Sequence, residues 1–65
     1  MVPERGLKAI ERLIAIYDLL QSEQINAAKL AKMFNVSTRT IYRDIKKMQY
    51  AGVDIYSYPE GYKII

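Results

Sequence analysis

Val36-Ser37-Thr38-Arg39-Thr40-Ile41-Tyr42-Arg43-Asp44-Ile45-Lys46-Lys47-Met48 is the stretch on which the reading of this chain turns. Wound at about 100° per residue, it divides into two opposed faces. Ile41, Ile45 and Met48 lie within roughly 60° of one another and form a narrow apolar stripe. Arg39, Arg43, Lys46 and Tyr50 gather on the opposite side, within roughly 60° as well. One face is suited to burial, the other to meeting negative charge. The pattern predicts a helix from Thr38 to about Tyr50, capped at its start by Ser37 or Thr38. Gly52 can take the left-handed conformation that closes a helix, and so marks its end.

Upstream, Asn26 is a good N-cap for a helix over Ala27 to Phe34. Leu30, Ala31 and Phe34 share one face of it, and the small Ala31 lets a second helix approach closely. Asn35 follows at the helix end, where it tolerates a left-handed backbone better than most residues. Val36 fills the gap between the two helices. Ala31, a turn residue four positions on, Val36, and Ile41 ten positions after Ala31 make the spacing of a helix-turn-helix. Earlier still, Leu7, Ile10, Leu13, Ile14, Tyr17 and Leu20 recur at three- and four-residue intervals, which predicts a first amphipathic helix supplying core. Pro3 suits its first turn, Gly6 weakens that turn so that regular helix is expected from Leu7, and Gln21-Ser22-Glu23-Gln24 ends it.

Downstream of Gly52 the period changes to two. Val53, Ile55 and Ser57 alternate with Asp54, Tyr56 and Tyr58, the pattern of a strand. Tyr58-Pro59-Glu60-Gly61 has the composition of a type I turn, with Pro second and Gly fourth. Tyr62 to Ile65 returns as a second strand. An isolated hairpin is marginal in water, so its apolar side must pack on the helices. The expected architecture is α+β: three helices followed by a two-stranded hairpin, a winged helix-turn-helix occupying residues 1–65 as one domain.

Composition narrows the chemistry. A chain of 65 residues buries only about 60% of the surface its unfolded form exposes, leaving little room for a substrate cavity. It has no cysteine and no histidine, so disulfides, thiolate metal sites and the commonest general base are absent. Catalysis by these residues is not expected, nor is a metal or a cofactor. No apolar run approaches the roughly 18 residues of a membrane span, and no signal peptide is visible, so the chain reads as cytoplasmic with no membrane partner. The net charge of +3 is modest, but its distribution is not even. Arg39, Arg43, Lys46 and Lys47 face a single acid, Asp44, on the third helix, whereas the first helix alternates sign through Glu4, Arg5, Lys8, Glu11, Arg12 and Asp18. This is the footprint expected of a surface that meets a polyanion, double-stranded DNA in particular.

Within that footprint, Arg39 and Arg43 sit one turn apart opposite the apolar stripe, where they can reach base edges, guanine above all, or phosphates. The plainer alternative is that they are solvated charges pairing with helix neighbours. Lys46 and Lys47 are expected on phosphates, and Ser37 or Thr38 with the free amides at the helix start would hold another. Asp44 reads as structural, orienting Arg43 or bonding a first-helix cation such as Arg12. Tyr17 fits the core stripe and Tyr62 packs the wing on the helices. Tyr42, on the flank of the third helix, is placed for a phosphate or thymine-methyl contact. Tyr50, Tyr56 and Tyr58 suit phosphate contact and protein interface equally.

The run from Leu30 to Ile64, through Leu30-Ala31, Val36-Ser37, Arg39-Thr40-Ile41, Arg43-Asp44-Ile45, Gly52 and Gly61-Tyr62, resembles the N-terminal winged helix-turn-helix of bacterial transcription regulators of the WYL-domain and DeoR-like kind. It is also similar to the DNA-binding domain of biotin-repressor-type proteins. The resemblance implies that Thr38, Arg39, Thr40, Tyr42 and Arg43 face DNA, and that the wing from Tyr58 to Lys63 touches a flanking phosphate or the minor groove, with Lys63 adding backbone affinity. Two positions depart from the wider class: Asn35 stands where Gly is common, and Asp44 where an apolar residue is. Arg-Asp at 43–44 is typical of the narrower group. One such module contacts few base pairs, so a homodimer on a repeated or palindromic site is the expected arrangement, with the effector domain outside this chain. The end at Ile64-Ile65 is expected to be that of a fragment. Two other functions share the fold: a protein-interaction module, which should present apolar anchors on the third helix, and the regulatory head of a bifunctional enzyme.

Overall fold

The computed structural model describes residues 4–65, with side chains described from residue 9 onward. Its elements are α1 (Glu4–Ser22), α2 (Ala27–Phe34), α3 (Thr38–Tyr50), β1 (Ile55–Tyr58) and β2 (Gly61–Ile64). Three helices followed by an antiparallel hairpin form a winged helix-turn-helix in the α+β class, as the sequence pattern predicts.

Local chemistry accounts for the limits of α2 and α3. Asn26 accepts the Lys29 amide at 2.8 Å and starts α2, and Ser37 accepts the Thr40 amide at 3.2 Å and starts α3. At the far end of α2, Asn35 takes φ 56°, ψ 48°, and among the described residues it is the one non-glycine with positive φ. The turn it makes lets the Val36 amide reach back to Ala31 O at 3.0 Å. Gly52, at φ +102°, does the same for α3, where the Val53 amide returns to Met48 O at 3.0 Å.

The core gathers Ile16 and Leu20 of α1, Ile25, then Ala27, Leu30 and Ala31 of α2, Ile41, Ile45 and Met48 of α3, and Ile55 of the hairpin. Leu13, Leu19, Phe34, Val36, Val53, Tyr62 and Ile64 pack around it half-buried. In the hairpin Ile55 pairs with Ile64, Tyr56 with Lys63, Ser57 with Tyr62 and Tyr58 with Gly61. Ile55, Ile64, Ser57 and Tyr62 therefore share the inner face and Tyr56, Tyr58 and Lys63 the outer one. The two-residue turn, Pro59-Glu60, contains no positive φ.

Three features differ from the sequence reading. First, α1 begins at Glu4 and runs through Gly6, not from Leu7; the expectations for Pro3 and for the Leu7 side chain lie outside the described residues. Second, α1 buries a different face. Ile16 and Leu20 are fully buried, while Ile10, Ile14 and Tyr17 are 60%, 57% and 40% exposed. The buried line through Leu13, Ile16 and Leu20 lies about 90° round the helix from the exposed one. Third, the hairpin is joined by a further pairing: Ile25, between α1 and α2, bridges to Tyr62, donating to its carbonyl at 3.1 Å and accepting its amide at 2.8 Å. Gly61 makes this approach feasible. At φ +143° it lies so close that a Cβ there would sit 2.5 Å from the Ile25 carbonyl carbon.

Candidate nucleic-acid interface

The outward face of α3 is set by what its inward face grips. Ile41, Ile45 and Met48 are buried, and so is Asp44, at 2% exposure. Its carboxylate is clamped by the Arg12 guanidinium: Nε donates to Oδ2 and Nη2 to Oδ1, the latter at 3.3 Å. A charge this deep needs such a partner. The ion pair ties α3 to α1 across 32 positions of sequence and confirms the first-helix partner among the alternatives for Asp44. Together with the buried stripe Ile41, Ile45 and Met48 it sets which side of α3 faces outward.

With that side outward, Thr38, Arg39, Tyr42, Arg43, Lys46 and Lys47 are exposed. Among the described residues Arg12–Asp44 is the one ion pair, so the four cations of α3 stand free of carboxylate partners. Four unneutralised charges along 13 residues of helix make a stripe of positive potential. At its N-terminal end Ser37 is committed as cap, and its hydroxyl lies 3.2 Å from that of Thr40, which is half-buried. The amides of Thr38 and Arg39 remain without an intrahelical acceptor, as first-turn amides do.

An open trough of ≈ 690 Å³ adjoins this end, floored by Ala28, Ala31 and Val36 and edged by Lys29, Lys32 and Thr38. Lys29 and Lys32 extend the cationic surface from α3 onto α2, beyond the residues the sequence pattern singles out. Their spacing of three on the polar side of α2 was the available signal.

The wing departs more from expectation. Lys63 lies on β2, but its ammonium donates to the carbonyls of Gln21 at 3.1 Å and Leu20 at 3.5 Å. α1 has no basic residue in its last turn, and Lys63 supplies the missing cation there from 42 positions away. Tyr62 packs inward as expected, and burial together with the neighbouring Tyr42 raises its phenol pKa above the ordinary 10.0. Tyr50 is almost wholly exposed, at 98%, and Tyr42, Tyr56 and Tyr58 about half so. No helix among the described residues is long and apolar enough to cross a membrane.

Comparison with known proteins agrees with the helix-turn-helix fold. Residues 12–63 match the family described as HTH domain. Over 47 residues, 71% of this chain, the sequence is 53% identical to a Bacillus subtilis (strain 168) protein named uncharacterized HTH-type transcriptional regulator YobV. The chain spans about 15% of that relative's length.

Proposed function

Because this chain belongs to the HTH domain family, we propose that it is the sequence-specific double-stranded DNA-binding head of a transcription regulator, residues 1–65 forming one N-terminal module of a longer protein. The observation that carries this reading is the free cationic face of α3, with Arg39, Arg43, Lys46 and Lys47 exposed while Arg12 and Asp44 neutralise each other behind it. α3 enters the major groove by its N-terminal half. Arg39 and Arg43 present guanidinium forks to base edges, guanine O6 and N7 being the best match. Lys46 and Lys47 meet phosphates and contribute affinity without sequence information. The open amides of Thr38 and Arg39, beside the Thr38 hydroxyl and the Ser37 and Thr40 hydroxyl pair, receive a phosphate at the positive end of the helix. Lys29 and Lys32 continue the backbone track along α2. The wing follows the flanking backbone through its tip. Lys63 serves chiefly to close α1 and takes part in the backbone contact only by exchanging its carbonyl partners for a phosphate.

A module of this size covers few base pairs, so the working regulator places two copies on a repeated or palindromic site. The protein-interaction alternative is weaker, since four exposed cations dominate the outward side of α3, where Tyr42 and Tyr50 are the exposed aromatic residues.

Fluorescence anisotropy with a random-sequence duplex at two or more salt concentrations tests the reading. Affinity should fall with log[salt] at a slope of about −0.9 per phosphate contacted. Arg43→Ala should weaken binding to a selected site by about 1–3 kcal/mol. Binding indifferent to both salt and Arg43 would sink it.

A further inference from the structure

Of the two tyrosines that α3 turns away from the core, only one is engaged. Tyr50 touches almost nothing, at 98% exposure, whereas Tyr42 gives up half its surface. Its ring stands edge-on to Tyr62, with centroids 6.5 Å apart and planes at 70°, the geometry in which the positive ring edge of one partner meets the negative face of the other. Tyr62 is one of the residues that tie the wing to the rest of the molecule, beside Lys63, which bonds the end of α1, and Ile55, which enters the core. The Tyr62 amide and carbonyl both pair with Ile25, and its side chain is half-buried. A second tie joins α3 to the hairpin at the opposite end, where Gln49 Nε2 donates to Ile55 O at 2.9 Å. The hairpin is thus attached to α3 at its base by Gln49 and near its tip by Tyr42.

From this arrangement we propose that Tyr42 is a positioning residue, holding the hairpin at a fixed angle to the DNA-reading helix so that wing tip and α3 engage the same duplex in register. This rests on the DNA-binding reading and replaces the thymine-methyl or phosphate role for Tyr42. Leverage makes the angle matter. Four-residue strands are about 13 Å long, so a tilt of about 10° moves the tip by about 2 Å, enough to break a hydrogen bond to a phosphate. Tyr42 is suited to the task because it sits on α3 itself. Any displacement of the hairpin away from α3 must open its contact with Tyr62.

The test combines a DNA-free and a DNA-bound measurement on Tyr42→Leu, Tyr42→Phe, Tyr62→Leu and the Tyr42→Leu/Tyr62→Leu double variant. In the free protein, amide hydrogen exchange at Tyr58, Gly61 and Tyr62 should speed up about tenfold in Tyr42→Leu, with Leu30 and Ile41 protected as in wild type, and stay within about twofold of wild type in Tyr42→Phe, which keeps the ring. With duplex DNA, Tyr42→Leu and Tyr62→Leu should each weaken binding about fivefold and reduce the salt slope by about one. The double variant should be no weaker than the worse single one, since the two rings act through one contact. Additive losses, or a Tyr42→Leu protein with an unchanged slope and an altered base preference, would overturn the proposal in favour of direct readout. Unchanged exchange in Tyr42→Leu would overturn it without reference to DNA. A wild-type chain that binds no duplex at low salt would instead refute the DNA reading, and the proposal would fall with it.

Discussion

α1 and α3 both carry apolar residues at three- and four-residue spacing, yet only in α3 does that spacing identify the buried face. On α3 the stripe Ile41–Ile45–Met48 is buried and the opposite side is cationic and exposed. On α1 the line Ile10–Ile14–Tyr17 is equally regular and lies in solvent, and the core takes Ile16 and Leu20 instead. The difference is one of contrast. The four exposed cations of α3 disfavour any orientation that would bury them. On α1, Ile10, Leu13, Ile14, Ile16, Tyr17, Leu19 and Leu20 spread over more than half the circumference, so several orientations bury similar apolar area. Among these, the chosen one lets Arg12 reach Asp44 and lets the C-terminal carbonyls receive Lys63. A helix is oriented by the residues it cannot bury at least as much as by those it can.

The sharpest challenge to this view is to remove the polar contact that orients the pair. Asp44→Ala leaves a largely buried guanidinium without its partner and should cost about 3 kcal/mol, the low end for a broken buried pair because Arg12 keeps some solvent access. Urea denaturation would measure it, and a loss below about 1 kcal/mol would mean that apolar packing alone sets the rotation of both helices. Next in size is the contrast between the two faces of α1. Ile16→Ala should cost about 2–4 kcal/mol, whereas Ile14→Ala, on the exposed line, should stay within about 0.5 kcal/mol. Thermal melts of the two variants side by side would reverse the assignment of faces if Ile14 proved the costlier. The smallest effect concerns the contact between α3 and the hairpin. Because the Tyr62 phenol has a raised pKa in the fold, its contribution is complete below the ordinary tyrosine value of 10.0 and is lost as pH rises through the higher folded value. Tyr62→Phe should flatten stability against pH above 10, read from denaturant midpoints, while wild type declines.

Much of the fold was legible in advance, and the legible parts share a property. The bounds of α2 and α3, the caps Asn26 and Ser37, the left-handed Asn35 and the closing Gly52 all depend on hydrogen bonds between residues no more than five apart. The hairpin followed from alternation and from Pro59 and Gly61. The cationic face of the candidate interface was readable for the same reason: helical period alone places Arg39, Arg43 and Lys46 together. What escaped was the Ile25–Tyr62 bridge, hidden because a lone residue between helices shows no strand pattern, and the commitment of Lys63 to the end of α1, since a lysine on a wing carries no sign of which acceptor it will meet.

The order of elements, the ends of α2 and α3 and the segregation of charge on α3 were thus dictated by amino-acid order, because backbone geometry and capping act over single turns. The face that α1 buries, the partner of Asp44, the acceptor of Lys63 and the seating of Tyr42 against Tyr62 were settled by packing. Each joins groups twenty or more positions apart, and its worth depends on every other contact formed at the same time.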